Sequence, residues 1–422
     1  VNAGSEPQSA PRYRFRRRRW QWLCVAIDAI GAHLIHWFPT KPPADPANIR
    51  SLLIIQLDHL GDAILSLGLI REIKAASPHI RLEVLCSPWT APLFSTLPEV
   101  DRIHVSRQNR FRRPAPRLLW LWDLLAWSSR LRRHRFDAAI DIRGELPHAL
   151  LMWLAGIPHR IGHRAGGGEF LLTAAIDYQP YRHQVSDRAE LLAALRKLLG
   201  QPDQIHPRQC LPTYVPPLPA ISSVAHRLQS LSNHSLFVLH LGAGTSAKRW
   251  PAEHWHTLAQ RLLHSTAAHL IVVGTPDDCH VAQNLVRHND LHRLHDWTGT
   301  LTIPELAALL GRADLFVGAD SGPAHLAAAV GIPTLVLFSG TNDSQTWRPM
   351  NAQTWVLTHP VPCSPCARAV CPLPAHPCLR NLSPARVHAA IQHILSRRVQ
   401  EPPVAHPTVN DLSELDVAGV SA

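Results

Sequence analysis

Residues 314–340, DLFVGADSGPAHLAAAVGIPTLVLFSG, constrain the fold more than any other stretch of the chain. Leu315 to Val317 is an apolar run suited to a buried strand, Pro323 suits a first helical turn, and Gly331 followed by Pro333 stops a helix before a second apolar run begins. A strand, a helix and a further strand in that order make a βαβ unit, the building block of a parallel sheet covered by helices. Asp320, Ser321, Gly322 and His325 fall where the first strand hands over to the helix. The first N–H groups of a helix lack intrahelical partners and that end is electropositive, so the handover suits an anion such as a phosphate. Taken alone, Asp320 or Ser321 serves equally well as a helix cap.

The same rhythm runs through most of the chain. From residue 49 it reads SLLIIQL, a helix from about Ala63 to Ala76, RLEVLC, RIHV, and AAIDI after a Trp- and Leu-rich helix. Proline breaks it around PTYVPPLPA, and it restarts with LFVLHLG, HLIVVG, DLFVGAD, TLVLFS and TWVLTH. A chain of 422 residues exceeds a comfortable single core. The expectation is therefore α/β with two Rossmann-like, doubly wound domains facing one another across a cleft. Their boundaries are expected at 49–215 and 216–382, preceded by an appendage and Pro-rich linker at 1–48 and followed by a helix at 383–398 and a disordered tail at 399–422.

Charge narrows the partners. Lys and Arg number 42 against 31 Asp and Glu, a formal +11, which suggests an acidic partner: nucleic acid, an anionic membrane surface or a phosphorylated substrate. Only four lysines occur, Lys41, Lys74, Lys197 and Lys248, so a lysine inside a polar motif is informative in a chain so biased to arginine. The segment RYRFRRRR precedes WQWLCVAIDAIGAHLIHWF, whose Asp28, His33 and His36 argue against a membrane span. Trp at both ends and an Arg-rich flank fit a helix lying on anionic headgroups; a helix packed on the protein's own surface fits as well. No small-residue cleavage site follows, so a cytoplasmic protein at the inner membrane face is expected.

Two further motifs fall at strand-to-helix junctions. IIQLDHLGDAILS places Gly61 at a tight turn and Asp62 at a helix start, beyond a strand's carboxyl end, where a carboxylate can serve as a base or as a helix cap. It lacks the G-x-G-x-x-G of a dinucleotide site. LHLGAGTSAKRWPAEHW offers Gly242, Gly244, Thr245 and Ser246 as a nest of N–H and O–H donors for phosphate, with Lys248 as a point charge.

In their order and spacing, L-G-D, the Gly-rich loop with A-K-R-W-P, and V-G-x-D-S-G-P-x-H-L-A-A-A resemble glycosyltransferase family 9, the ADP-heptose:lipopolysaccharide heptosyltransferases. The resemblance covers roughly residues 50–395. It implies a GT-B fold and inverting transfer from a nucleotide sugar with no cofactor and no required metal. It places the catalytic carboxylate on Asp62, the phosphate-binding lysine on Lys248, the family's D-[TS]-G-x-x-H signature on Asp320, Ser321, Gly322 and His325, and a nucleoside-facing acid on Asp278, next to Asp277. The chemistry agrees with these residue types. Asp62 would take the proton of the attacking sugar hydroxyl, while Lys248, the nest and the helix end at 321–325 stabilise the departing diphosphate. The implied partners are a nucleotide-sugar donor, ADP-heptose above all, a phosphorylated glycolipid acceptor and an anionic membrane surface.

Rival features remain. CSPCARAVCPLPAHPC spaces Cys363, Cys366, Cys371 and Cys378 in a way that suits zinc or an iron–sulfur cluster, or a purely structural segment. Residues 102–135 carry ten Arg against the single acid Asp123, interleaved with Trp120, Trp122 and Trp127, a composition that can bind single-stranded nucleic acid. No RNA-binding signature accompanies it, so no nucleic acid is expected as a partner. An inactive scaffold of the same fold is the other alternative, disfavoured by the joint presence of Asp62, Lys248 and Asp320.

Overall fold

The computed structural model describes residues 13, 18–37, 45–106, 119–287, 292–351, 353–400 and 410–411. The chain divides into two compact units, one of Val1–His59 and Gly68–Cys210, the other of Leu60–Leu67 and Leu211–Ala422.

The first unit carries six parallel strands, β1 (Ser51–Gln56), β2 (Arg81–Cys86), β3 (Arg102–Val105), β4 (Ala138–Asp141), β5 (His159–His163) and β6 (Ala174–Ile176), in the spatial order β3-β2-β1-β4-β5-β6. β1 is buried along its whole length, as a near-continuous apolar strand covered on both faces must be. Leu52 lies opposite Leu82 on one side and Ala138 on the other. The winding reverses between β1 and β4.

The second unit repeats the plan with β7 (Leu236–His240), β8 (His269–Val273), β9 (Leu294–Asp296), β10 (Leu315–Ala319), β11 (Thr334–Phe338), β12 (Thr354–Thr358) and β13 (Asn410–Asp411). Their order is β13-β12-β11-β10-β7-β8-β9, so here the reversal falls between β7 and β10. Leu239, Leu270, Val317 and Leu337 from four of these strands meet Trp255 and Leu258 of the helix Ala252–Ser265 in one core. The helix after β10, Gly322–Val330, stops at Gly331, whose φ of 96° sets the left-handed turn and returns its N–H to the carbonyls of Ala327 and Ala328. The doubly wound α/β architecture expected from the strand–helix rhythm thus forms twice.

Some details depart from the sequence reading. The helix expected from Ala63 to Ala76 is two helices, Leu60–Leu65 and Leu67–Ala76, parted at Ser66, whose Oγ donates to the Asp62 carbonyl at 2.9 Å. β5, with the sequence HRIGH, has no apolar pattern, yet every residue is buried. Its Arg160 is tolerated because Nη1 donates to the Ile157 carbonyl at 2.6 Å and Nε to that of Leu171.

The N-terminal segment forms a helix, Arg18–Leu34, that belongs to the first unit. Asp28 is buried and accepts hydrogen bonds from the N–H groups of Gly168 and Glu169 at 2.7 and 3.1 Å and from the Tyr13 hydroxyl at 2.9 Å. Gly31 faces Phe170 so closely that a Cβ would lie 2.3 Å from the ring. Elsewhere on the helix Trp20, Trp22, Ile30 and Leu34 are exposed, and Trp37 follows, 83% exposed. The expected packing on the protein's own surface therefore holds for the side that carries Asp28 and Gly31. No helix among the described residues is long and apolar enough to cross a membrane. The Arg run before Arg18, most of the Pro-rich linker, the Arg-rich stretch 107–118 and the tail beyond residue 400, apart from β13, lie outside the described residues.

Candidate active site

Ligands of doubly wound sheets gather beyond the carboxyl ends of the strands that flank the reversal of winding. In the second unit those strands are β7 and β10, and the two polar motifs singled out in the sequence follow them directly. Lys248 ends the short turn Ser246–Lys248 after β7, and its Nζ lies 2.6 Å from Oδ2 of Asp320, the residue after β10. Asn342, beyond β11, donates to the same oxygen at 2.9 Å. Asp320 is only 5% exposed, so this cation and this amide are what make its charge tolerable there. The ion pair holds Lys248 at the carboxyl edge of the sheet.

The glycine-rich loop is shaped by its neighbours. A Cβ on Gly242 would lie 2.3 Å from the Asp278 carboxylate, so only glycine lets that side chain close over the loop. Gly244 faces open space, and Thr245 Oγ1 is shielded from solvent without a hydrogen-bond partner among the described residues. Ser246 differs from its expected inward donor role: its hydroxyl donates to the Ala369 carbonyl at 3.3 Å, which also receives the Ala247 N–H at 3.1 Å. The cause is the cysteine-rich segment. It braces this loop and also the loop after β11, where Cys366 N–H donates to the Gly340 carbonyl at 2.9 Å. Its four thiols are free and do not bring three sulfurs within 4.8 Å of one another. Burial pushes the Cys378 thiol up, as do the nearby Cys371, Cys363 and Cys366, against a backbone hydrogen bond from Gly340.

At the start of Gly322–Val330 the expected side-chain cap is missing. Ser321 has extended backbone, but its hydroxyl turns back to the Ala319 carbonyl at 3.1 Å and to His240 Nδ1 at 3.3 Å, leaving the helix end without a side-chain cap. Burial pushes the His240 imidazole down to about 4, outweighing the nearby Asp278 carboxylate, so it is neutral at neutral pH. The segment Leu60–Leu67 belongs to this same unit, and its helix lies against the helix end. A Cβ on Gly322 would lie 2.8 Å from Leu60, and one on Gly61 3.0 Å from the buried His325 ring. Half-buried Asp62 stands in the first turn of Leu60–Leu65, the helix whose Leu60 and Gly61 meet Gly322 and His325.

Asp278 is buried and committed locally. Its Oδ2 accepts from the Thr275 N–H and Oγ1 at 2.9 and 2.8 Å, a reciprocal cap, while Oδ1 lies 3.2 Å from the Arg249 guanidinium. It borders a cavity lined by Arg249, Trp250, Glu253, His376 and Arg380. Asn342, Arg249, Thr275 and His240 were absent from the sequence-derived set. His240 and Arg249 stand within the Gly-rich motif itself and Thr275 lies three residues before Asp278, but their partners show only in the structure; Asn342 joins the site because β11 lies beside β10.

The first unit has its own polar cluster at the corresponding edge, beyond β1 and β4. Asp58 and Glu145 both pair with Arg143, and His148 Nδ1 lies 2.8 Å from Asp141 Oδ1. Burial raises the Asp141 carboxyl and lowers the His148 imidazole, yet their mutual attraction prevails and leaves Asp141 below and His148 above the ordinary range.

Comparison with known proteins accords with this geometry. The sequence matches glycosyltransferase family 9 (heptosyltransferase) over residues 124–376, more than half of the chain. A putative glycosyltransferase of Haemophilus influenzae is 23% identical over 72% of this chain and 87% of its own length. Lipopolysaccharide heptosyltransferase 2 of Escherichia coli K12 is 25% identical over 70% of this chain and 84% of its own. Among solved structures, the E. coli ADP-heptose lipopolysaccharide heptosyltransferase II superposes with a TM-score of 0.65 at 20% identity, covering 83% of this chain and 99% of that one, so the fold is of the same GT-B type. With the family's motifs set on the strands that bracket the reversal of winding, this chain belongs to glycosyltransferase family 9 and is a glycosyltransferase.

Proposed function

We propose that this enzyme moves a heptosyl group from ADP-heptose, with inversion at the anomeric carbon, onto a lipopolysaccharide core or related phosphorylated glycolipid. The observation that carries the proposal is the Lys248–Asp320–Asn342 constellation at the switch point, beside a helix end that no side chain caps and the helix bearing Asp62. In the reaction the acceptor hydroxyl attacks the anomeric carbon, its proton passes to the Asp62 carboxylate, and the bond to the diphosphate oxygen breaks. Lys248, the Thr245 hydroxyl and the N–H groups of Ser321 and Gly322 then meet the charge that grows on the leaving diphosphate. The names of the relatives support the choice of donor and acceptor. The test is turnover of a panel of nucleotide sugars with a deacylated lipopolysaccharide core. Acceptor-dependent release of ADP from ADP-heptose, with little release from UDP- or GDP-sugars, is expected; preference for another nucleotide would sink the donor assignment.

The enzyme works at an anionic membrane surface, on the cytoplasmic side, in the same reading. Support comes from the exposed Trp20, Trp22 and Trp37 and from the basic flank, where the Arg19 guanidinium lies 5.7 Å over the Trp20 ring. Replacing Trp20 and Trp22 by Ser is expected to lower binding to anionic vesicles severalfold in a co-sedimentation assay without changing the melting temperature. Asp28→Ala acts on the other face. It strips two amides and a phenol of their acceptor, costs about 3 kcal/mol of stability and lowers the melting temperature. Unchanged vesicle binding by the Trp variant would remove the membrane role.

A further inference from the structure

Glu83 is an oddity in the first unit. β2 is otherwise buried and apolar after its first residue, yet its third position carries a carboxylate 1% exposed. Leu85 pairs with His104 in the β2–β3 register, so Glu83 and His104 project from the same face of the sheet. That face is covered by the helix Leu119–Arg132, and His134 lies in the turn that follows it. The three side chains converge: Glu83 Oε2 is 2.6 Å from His104 Nε2 and 3.4 Å from His134 Nδ1, and the three ligand atoms lie within 4.8 Å of one another. Phe136 fixes both imidazoles, stacked 5.7 Å from the His134 ring and edge-on 6.3 Å from that of His104. The other Glu83 oxygen is held 3.2 Å from Arg81 Nε, whose Nη2 also donates to the His134 carbonyl at 3.1 Å.

We propose that Glu83, His104 and His134 form a binding site for a divalent transition metal, Zn²⁺ above all, that ties β2 and β3 to the turn after Leu119–Arg132. Two imidazoles and one carboxylate are a donor set that zinc takes readily, with a fourth position left for water. Tetrahedral bonds of about 2.0–2.1 Å would hold the ligand atoms about 3.3 Å apart. The His134–Glu83 spacing already matches, and the His104–Glu83 contact needs to open by roughly 0.7 Å to admit the ion. The neutral imidazole is the form that ligates, so metal binding displaces any proton shared between Glu83 and His104. His134, with 19% of its side chain exposed, and the half-exposed Arg81 give the ion a way in. The site takes no part in the transfer chemistry; it stabilises the unit.

The test uses the full chain without a histidine tag, stripped by chelation and titrated with Co²⁺ and Zn²⁺. Because the cysteine-rich segment is a competing site, the titration is run on a Cys363→Ser/Cys366→Ser chain as well as on the wild type. One equivalent of Co²⁺ with visible bands and no sulfur-to-metal charge transfer is expected in the substituted chain. Zn²⁺ at about a hundred times its dissociation constant should raise the melting temperature by roughly 5 °C or more. His134→Ala, a change in a partly exposed turn, should weaken binding at least about a hundredfold and abolish the thermal shift. The Co²⁺ spectrum needs no change to the triad, so the proposal stays testable if that variant fails to fold. Metal bound through sulfur alone, or stoichiometry and thermal shift unaltered by His134→Ala, would show that a proton and not a metal joins the three groups.

Discussion

Asp62→Asn is expected to lower turnover by about two orders of magnitude or more while leaving ADP affinity within a few-fold of wild type, the pattern of a lost general base. Asparagine keeps the size and polarity of the side chain and so preserves the packing of Leu60–Leu65 against the helix Gly322–Val330, where Leu60 and Gly61 sit against Gly322 and His325. The change removes the negative charge and with it the capacity to accept a proton. Turnover in a pre-steady-state assay separates the two parts: a slow chemical step with normal binding assigns the base to Asp62. Near-normal chemistry would move that role elsewhere.

Lys248→Ala should lower kcat/KM by about 10²–10³, the scale for losing one preorganised group at a developing negative charge, and should weaken binding of ADP as well. The geometry makes the effect larger than charge alone. Asp320 is buried with Lys248 and Asn342 on one oxygen, so the alanine variant leaves a carboxylate half-compensated at the centre of the site. Lys248→Arg should rescue only part of the loss, because a planar guanidinium cannot reproduce the 2.6 Å point contact with Asp320 and still face a diphosphate. Asp320→Asn discriminates charge from aim. It keeps the lysine but releases its direction, so it should raise KM about tenfold with little change in melting temperature. Full activity in Lys248→Arg would reduce the role of this residue to charge.

How much of this could be read from the sequence depends on whether the cause is local. The strand runs LLII and LFV, the stop at Gly331 and the start at Pro323 are local, and the structure places them as expected. The two sheets followed because repeated strand–helix alternation has few solutions. β5 escaped because it reads as polar, and its burial rests on Arg160 folding back onto the carbonyls of Ile157 and Leu171, which hydrophobic periodicity does not signal. The site divides in the same way. Lys248 and Asp320 stand in motifs and were visible, whereas Asn342 joins them only because β11 lies beside β10. Ser246 stood in a motif too, yet its hydroxyl went to Ala369, a partner 123 positions away that no spacing rule could announce. The segment Leu60–Leu67 is the strongest case: it follows β1 in sequence but groups with the second unit.

The central claim is that this chain transfers a sugar from a nucleotide donor and inverts it. The most direct measurement is the mass and anomeric configuration of the product formed from ADP-heptose and a deacylated, heptose-deficient lipopolysaccharide core. The account predicts an acceptor heavier by one heptosyl residue, joined with the anomeric configuration opposite to that of the donor, and formed in wild type but at most at about one-hundredth of the rate in Asp62→Asn. An unmodified acceptor, or a product that retains the donor's configuration, would contradict it.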